Sequence, residues 1–269
     1  MKHSRELLSR SLILSRMSPP VRARLNMLQV ESSLDSTNSA LQRMPVEQQH
    51  CSAILAEQQE AGRGRRGKYW HSPFGRNLYL SLGWRFERSP TELGCLSLLT
   101  ALSAARTLSR AGLNGHGIKW PNDILLDERK LCGCLVEVQG DAHGYCHAVL
   151  GVGINVHMPA LVSTVEIDQP WTDMESHSVT CSRNTLAALL LEELIMHLSL
   201  FAEQGFEPFR NDWRENDLLT GRTVEVLAGN ETSRGVVTGI DENGALLLDT
   251  GSDIVVLHSA EVSLKSGLS

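Results

Sequence analysis

The sequence contains no apolar run long enough to span a bilayer, no excess of basic charge and no dense cysteine pattern. The first absence argues against a membrane-spanning protein. Of 269 residues, 25 are Lys or Arg and 31 are Asp or Glu, a formal net charge of −6. Proteins that live on a nucleic-acid backbone usually carry a basic balance, so that class starts behind. Six cysteines (Cys51, Cys95, Cys132, Cys134, Cys146 and Cys181) are too few in a chain this long for a disulfide framework. Reduced thiols in a cytoplasmic protein are the expected state. Signatures of a Ser-His-Asp triad, an H-E-x-x-H metal site and a nucleophile elbow are missing, as are internal repeats and low-complexity tracts. What remains is a globular chain, 42% hydrophobic and 21% charged. Its length suits one large domain or a large and a small one.

The first 27 residues carry one acidic residue and are rich in Arg and Ser. They read as a short basic amphipathic helix ended by Pro19-Pro20, with an organellar transit segment as the alternative. The segment, residues 1–24, precedes every motif and is expected to be dispensable for chemistry. Leu78, Leu80, Leu82, Trp84 and Phe86 alternate with period two, the mark of a strand. Ser89-Pro90-Thr91-Glu92 supplies an N-cap, a first-turn proline and a capping-box glutamate for a helix that runs to Gly112. Residues 118–126 read as extended, 127–129 as a turn, 130–139 as a strand, 140–144 as a turn and 145–156 as a strand. A second long helix covers about 185–203 and stops at Gly205. From Asp217 the texture changes to four short strands with Gly, Asn and Asp turns, the pattern of a small closed barrel. The expected fold class is α+β: a mixed β-sheet with helices over 25–216, and a small C-terminal barrel over 217–269.

Between the strands lies Glu60–Gly75, EAGRGRRGKYWHSPFG. Gly62, Gly64 and Gly67 have the G-x-G-x-x-G spacing of a dinucleotide loop. That motif needs a helix whose N-terminus holds the pyrophosphate, and here Pro73 and a strand follow. A Walker loop fails as well, because Lys68 precedes Tyr69 rather than Ser or Thr. Four cations in the six residues Arg63–Lys68 instead suggest a clamp for a small anion, with a flexible solvated charge run as the plain alternative.

Downstream come Lys119-Trp-Pro-Asn-Asp123, Lys130-Leu-Cys-Gly133 and Gly151-Val-Gly-Ile-Asn155, with Asp35-Ser-Thr-Asn38 upstream. With GRGRRG, WHSPFGRNLYLS, KWPNDILL, RKLCGCLVE and GVGIN, the chain closely resembles the biotin protein ligases, over about residues 25–264. The resemblance implies a fold related to class II aminoacyl-tRNA synthetases, with a C-terminal SH3-like barrel. It also implies a two-step reaction, in which biotin and ATP form biotinyl-5'-AMP and the biotin then passes to a lysine of a biotin carboxyl carrier protein.

On this resemblance Lys130, Arg65 and Asp123 are catalytic. Asp123 has two open roles, assisting magnesium or the incoming lysine. Ser36, Thr37, Asn38, Gln59, Gly62 and Arg63 would hold the biotin ring. Trp70, Gly133, Leu135, Gly151 and Gly153 would line its tail, with Arg65 and Lys130 at the carboxylate. Gly151 and Gly153 are expected to lack side chains because the ligand lies against them. Arg63, Arg65, Lys119, Asn122, Lys130, Asn155 and Trp171 would contact the ATP or adenylate portion. The implied substrates are biotin and ATP with Mg2+, and no side chain is assigned as a metal ligand. The nucleophile is a carboxylate already ionised at neutral pH, so no general base is required.

A monofunctional ligase is expected, with no DNA or membrane partner, because the segment before the catalytic region is too short for the winged-helix domain of many relatives. A homodimer is compatible with the resemblance. The alternatives are a lipoate or octanoyl ligase on the related fold, a DNA-binding biotin sensor and a nucleic-acid grip. Two departures stand out. Glu60 places an extra negative charge beside the clamp, and Cys132 and Cys134 flank Gly133 where small or aliphatic residues are usual. A metal site from Cys132, Cys134, Cys146 and His147 is rejected on register. With Cys134 paired near Leu150, Cys146 lies roughly 13 Å away along the ladder.

Overall fold

The computed structural model describes residues 6–140, 144–158, 167, 169–229 and 231–264. In chain order its elements begin with α1 (Arg10–Arg16), α2 (Pro19–Arg22), β1 (Met27–Glu31), α3 (Thr37–Gln42), α4 (Val46–Gln49), β2 (Ser52–Ala56) and β3 (Leu78–Phe86). They continue with α5 (Leu96–Arg110), β4 (Gly117–Lys119), β5 (Asp123–Leu126), β6 (Arg129–Gly140), β7 (Cys146–Ile154), α6 (Arg183–Gln204) and α7 (Arg210–Asn216). The last strands are β8 (Thr223–Ala228), β9 (Glu231–Ile240), β10 (Leu246–Asp249), β11 (Ile254–Leu257) and β12 (Glu261–Leu264).

Seven strands form one sheet in the order β1-β2-β3-β7-β6-β5-β4. The β1–β2 pair is parallel and every other pair is antiparallel, so the sheet is mixed. The alternating residues of β3 face α5 and α6, where Phe86 meets Phe201 edge-on at 5.8 Å. The intervening residues are buried too, because α3 covers the opposite face. Ser81 there bonds to Thr37 and Asn38 of α3, and that second face carries the site.

Local signals are realised with two changes. The capping box at Ser89 and Glu92 forms, but it opens a separate 3-10 turn, Pro90–Leu93, and α5 starts only at Leu96. The break has a packing cause. A Cβ at Gly94 would lie 2.9 Å from the Asn243 carbonyl, so the β9–β10 turn seats directly on this bend. Residues 118–126 are not one extended run. The chain reverses at a cis Trp120–Pro121 bond, and β4 pairs antiparallel with β5. The following turn has Asp127 at φ 51° and Glu128 at φ 60°, the left-handed pair that a two-residue hairpin requires. Cys134 pairs with Val152, two residues from the expected Leu150 and farther from Cys146. Three residues of the 140–144 turn lie outside the described residues.

The small domain is an antiparallel sheet of five strands, order β11-β10-β9-β8-β12. The sequence reading had four; the fifth is β12, paired with β8. Among the described residues β11 and β12 do not pair, so the SH3-like barrel is open along that seam. Trp120 donates its indole N–H to the Gly244 carbonyl at 2.9 Å and fixes the small domain to the large one.

The helix α6 overturns the expectation that no apolar run could span a bilayer. Its 22 residues are long and apolar enough to cross a membrane by length and composition. Here 67% of its most apolar window is buried within the protein, as expected of a core helix. Buried among its side chains is His197, between the Ser103 hydroxyl at 2.8 Å and the Phe209 ring at 5.0 Å. Burial lowers its pKa from 6.5 to about 4, partly opposed by Glu193. The folded state thus holds a neutral imidazole that the unfolded chain would protonate below 6.5. This stability is complete above about pH 6.5 and is lost as pH falls toward 4, by roughly 3 kcal/mol. His197→Leu should flatten this part of the pH dependence in denaturant unfolding; an equally steep fall in the variant would contradict it.

The N-terminal segment is part of the core. Ile13 is fully buried, and the Leu8 amide donates to the Glu57 carboxylate. Glu57 also pairs at 2.6 Å with Arg183, which donates to the carbonyls of Glu6 and Asn77. The Ser18 amide donates to Glu192 at 2.5 Å. The segment thus has a structural role, and its expected dispensability concerns the chemistry alone. Deleting Met1–Ser18 should cost about 3 kcal/mol or more, from the Ile13 void and the stripped buried carboxylates. A melting temperature equal to that of the full chain would show the segment to be inert.

Candidate active site

Beside a third row packed under α3, Gly83–Val149–Glu137, two cross-strand rows build the floor on that face, Tyr79–Gly153–Gly133 and Ser81–Gly151–Leu135. They underlie a cavity of about 630 Å³ that also takes in the glycine-rich loop and residues of β12. The floor glycines have a packing reason within the protein itself. A Cβ at Gly153 would lie 2.6 Å from the Trp70 ring, and one at Gly133 would lie 2.9 Å from it. A Cβ at Gly151 would lie 2.3 Å from Asn38 Oδ1. These positions are bare so that Trp70 and Asn38 can lie flat on the sheet.

One end of the cavity is buried and neutral. Gln59 Oε1 accepts from the Thr37 amide at 2.9 Å and its hydroxyl at 3.1 Å. The Gln59 amide donates to Ser72 Oγ at 3.1 Å, and Ser72 donates to the Trp70 carbonyl at 2.9 Å. Ser36 occupies the N-cap position of α3 without a capping bond from its hydroxyl. Gln59 does that work through Thr37. Gly62 is held so close that a Cβ would lie 2.3 Å from the Trp70 carbonyl.

The other end is charged. Residues 62–70 fold back as a small hairpin, with Gly64 N–H to Lys68 O at 2.7 Å and Trp70 N–H to Gly62 O at 2.9 Å. Arg65 hangs inward, donating to Asn122 Oδ1 at 3.2 Å and to Ser259 of the small domain at 3.0 Å. Its pKa is lowered, first by burial and then by Arg66. Arg66, at φ 55°, and Lys68 face Glu261 of β12 at 3.9 and 3.3 Å. Lys130 sits 2.9 Å from Asp123 and 5.4 Å above the Trp70 ring. Lys119 is pushed down by burial, opposed by Asp123 and reinforced by Lys130. Cations held against burial and mutual repulsion favour an anionic occupant.

Several expected contact residues serve as braces here. Asn122 Nδ2 donates to the Cys134 carbonyl at 2.6 Å, which aims its oxygen at Arg65. Asn155 donates to the carbonyls of Thr172 at 3.1 Å and Lys130 at 3.3 Å. Trp171 is bridged to Lys130 through backbone, so the segment at 170–172 is a rail beside the lysine. Leu135 gives its carbonyl to Asn38. Arg63 is held on Glu137 at 2.7 Å. Glu60 does not stand beside the clamp; it is exposed and accepts from Ser33 at 2.9 Å. The sequence reading missed Ser72, Tyr79, Ser81 and Glu137. Tyr79 and Ser81 carried a usable signal, since they occupy the face of β3 opposite its leucines.

Comparison with known proteins agrees with this geometry. Residues 30–155 match the Biotin/lipoate A/B protein ligase family, and residues 219–265 match the Biotin protein ligase C terminal domain. The bifunctional ligase/repressor BirA of Escherichia coli is 40% identical over 233 residues, 87% of this chain and 72% of that protein. A biotin--[acetyl-CoA-carboxylase] ligase of Mycobacterium tuberculosis is 34% identical, over 78% of this chain and 77% of its own. The biotin protein ligase of Aquifex aeolicus, solved in complex with biotin and ATP, superposes with a TM-score of 0.75 at 28% identity, covering 89% of this chain and 99% of that one. The chain belongs to the biotin/lipoate A/B protein ligase family. Its C-terminal domain and these relatives place it among the biotin protein ligases.

Proposed function

We propose that this chain is an ATP-dependent biotin protein ligase that forms biotinyl-5'-AMP and transfers the biotin to a lysine of a carrier protein. One observation carries the reading: a neutral, buried hydrogen-bonding end and a cationic end share one cavity, joined by the Trp70 wall. A ureido ring has two donors and one acceptor, which suits Ser36, Thr37 and Gln59. A lipoyl ring offers no such groups and would gain no matching hydrogen bonds at this end. The biotin carboxylate oxygen attacks the α-phosphorus of ATP, and the bond to the β-phosphate oxygen breaks to release pyrophosphate. The neutral amine of the acceptor lysine then attacks the acyl carbon and loses its proton, and AMP departs.

Lys130 and Arg65 are assigned to the charge that builds in the first step, where fixed cations cost no reorganisation. Lys119 is assigned to the polyphosphate. Asp123 holds Lys130 in place, and Asn122 aims Arg65. Magnesium would arrive bound to ATP phosphates.

The proposed acceptor is a biotin carboxyl carrier protein, in the cytoplasm, a setting compatible with six free thiols. DNA is not a proposed partner, since Arg63, Arg66 and Lys68 face carboxylates of the same chain. Pyrophosphate exchange into ATP separates the substrates: it should depend on biotin and ignore lipoate. Exchange driven by lipoate or octanoate would replace this reading with the alternative.

A further inference from the structure

Glu137 lies on the same face of β6 as Gly133 and Leu135, two residues beyond the cavity floor. Its Oε2 accepts from two groups at once, Arg63 Nη2 at 2.7 Å and Asn38 Nδ2 at 2.8 Å. Arg63 also reaches Gln42 Oε1 of α3 at 3.4 Å. Asn38 is itself fixed on three sides, since its Oδ1 accepts from Ser81 at 2.5 Å and its Nδ2 also donates to the Leu135 carbonyl at 3.2 Å. The carboxylate thus ties the stem of the basic hairpin to the hydrogen-bonded junction of α3, β3 and β6.

The four cations of the hairpin are not equivalent. Arg63 bonds to Glu137, while Arg66 and Lys68 pair with Glu261. Among the described residues Arg65 makes hydrogen bonds only to the neutral Asn122 and Ser259. It is therefore the hairpin guanidinium that can turn to an anion without giving up a carboxylate partner.

Resting on the ligase reading above, we propose that Glu137 and Arg63 form a clasp that holds the hairpin over the bound adenylate, with Arg63 acting as a positioning residue rather than an anion ligand. The clasp takes no part in bond making. It sets how long the intermediate stays. The pair is partly open, with side-chain exposures of 27% for Glu137 and 39% for Arg63, so its effect is modest.

The test is a double-mutant cycle read on purified enzyme loaded with biotin and ATP. Glu137→Ala, Arg63→Ala and the double variant should each release biotinyl-adenylate roughly fivefold faster than wild type, with the double no faster than either single. Single-turnover pyrophosphate release by Glu137→Ala at saturating substrates should stay within about twofold of wild type, a split that general loosening of the fold would not give. Glu137→Gln keeps the acceptor oxygen but not the charge, so it should fall between and covers the case in which the alanine variant does not fold.

Unchanged retention in Glu137→Ala would overturn the clasp. So would multiplied effects in the double variant, which would make Arg63 an anion ligand in its own right. Loss of pyrophosphate release in a folded Glu137 variant would also overturn it. A wild-type enzyme that forms no adenylate would remove the underlying activity, and that is seen before any variant is compared.

Discussion

Lys130→Ala is expected to slow biotin-dependent pyrophosphate release by about 100- to 1,000-fold while leaving the melting temperature near that of the wild type. The lysine ammonium stands between Asp123 and the Trp70 ring at the charged end of the cavity, mounted where β6 meets the 170–172 rail. The first step brings a carboxylate against a polyphosphate, and removing one fixed cation from such a site costs roughly 3 kcal/mol of transition-state stabilisation. The fold should tolerate the change because the side chain spans no apolar core. Removing it frees Asp123, which is close enough to solvent to be hydrated. Rapid-quench measurement of pyrophosphate at saturating ATP and biotin reads the step directly. A rate within a few-fold of wild type would take Lys130 out of the chemistry.

Arg65→Gly should show the second large effect, on retention rather than formation. This arginine joins the hairpin tip to Asn122 of the large domain and Ser259 of the small one. If it turns to the adenylate phosphate, its loss removes a charge-assisted hydrogen bond of about 2 kcal/mol, or roughly 30-fold in dissociation. The buried neutral end, built from Thr37, Gln59 and Ser72, is untouched. Free biotinyl-adenylate is a mixed anhydride and acylates exposed lysines on unrelated proteins. The expected signature is biotinylation of a bystander protein, in proportion to enzyme and suppressed by added small amines. An Arg65→Gly enzyme that labels only its acceptor and retains adenylate as tightly as wild type would remove Arg65 from the clamp.

Much of the architecture was legible because it is local. The leucine alternation of β3, the Ser89–Glu92 capping box and the Gly205 stop each depend on a few adjacent residues, and each formed. The reversal at Trp120–Pro121 was not legible, since IKWPNDILL reads as one extended run until the partner strands are known. The strand β12 was missed for a similar reason, as its pairing with β8 spans the whole small domain. The N-terminal segment read as a short basic amphipathic helix that precedes every motif. Its burial depends on Glu57 and Arg183, which are remote in sequence and carry no mark of pairing there.

The site divides in the same way. The motifs marked Lys130, Arg65 and the residues around Gln59, but not why the glycines are bare or what Arg63 does. Those answers need the register that sets Gly151 under Asn38 and Glu137 beside the hairpin stem.

The central claim is that one cavity activates biotin and delivers it to a protein lysine. Its most direct test is the intact mass of an acceptor carrier domain after incubation with this chain, biotin, ATP and magnesium. The account predicts a gain of one biotinyl group at a single lysine, dependent on ATP and matched by one AMP and one pyrophosphate. An acceptor of unchanged mass, with biotin and ATP unconsumed, would contradict it.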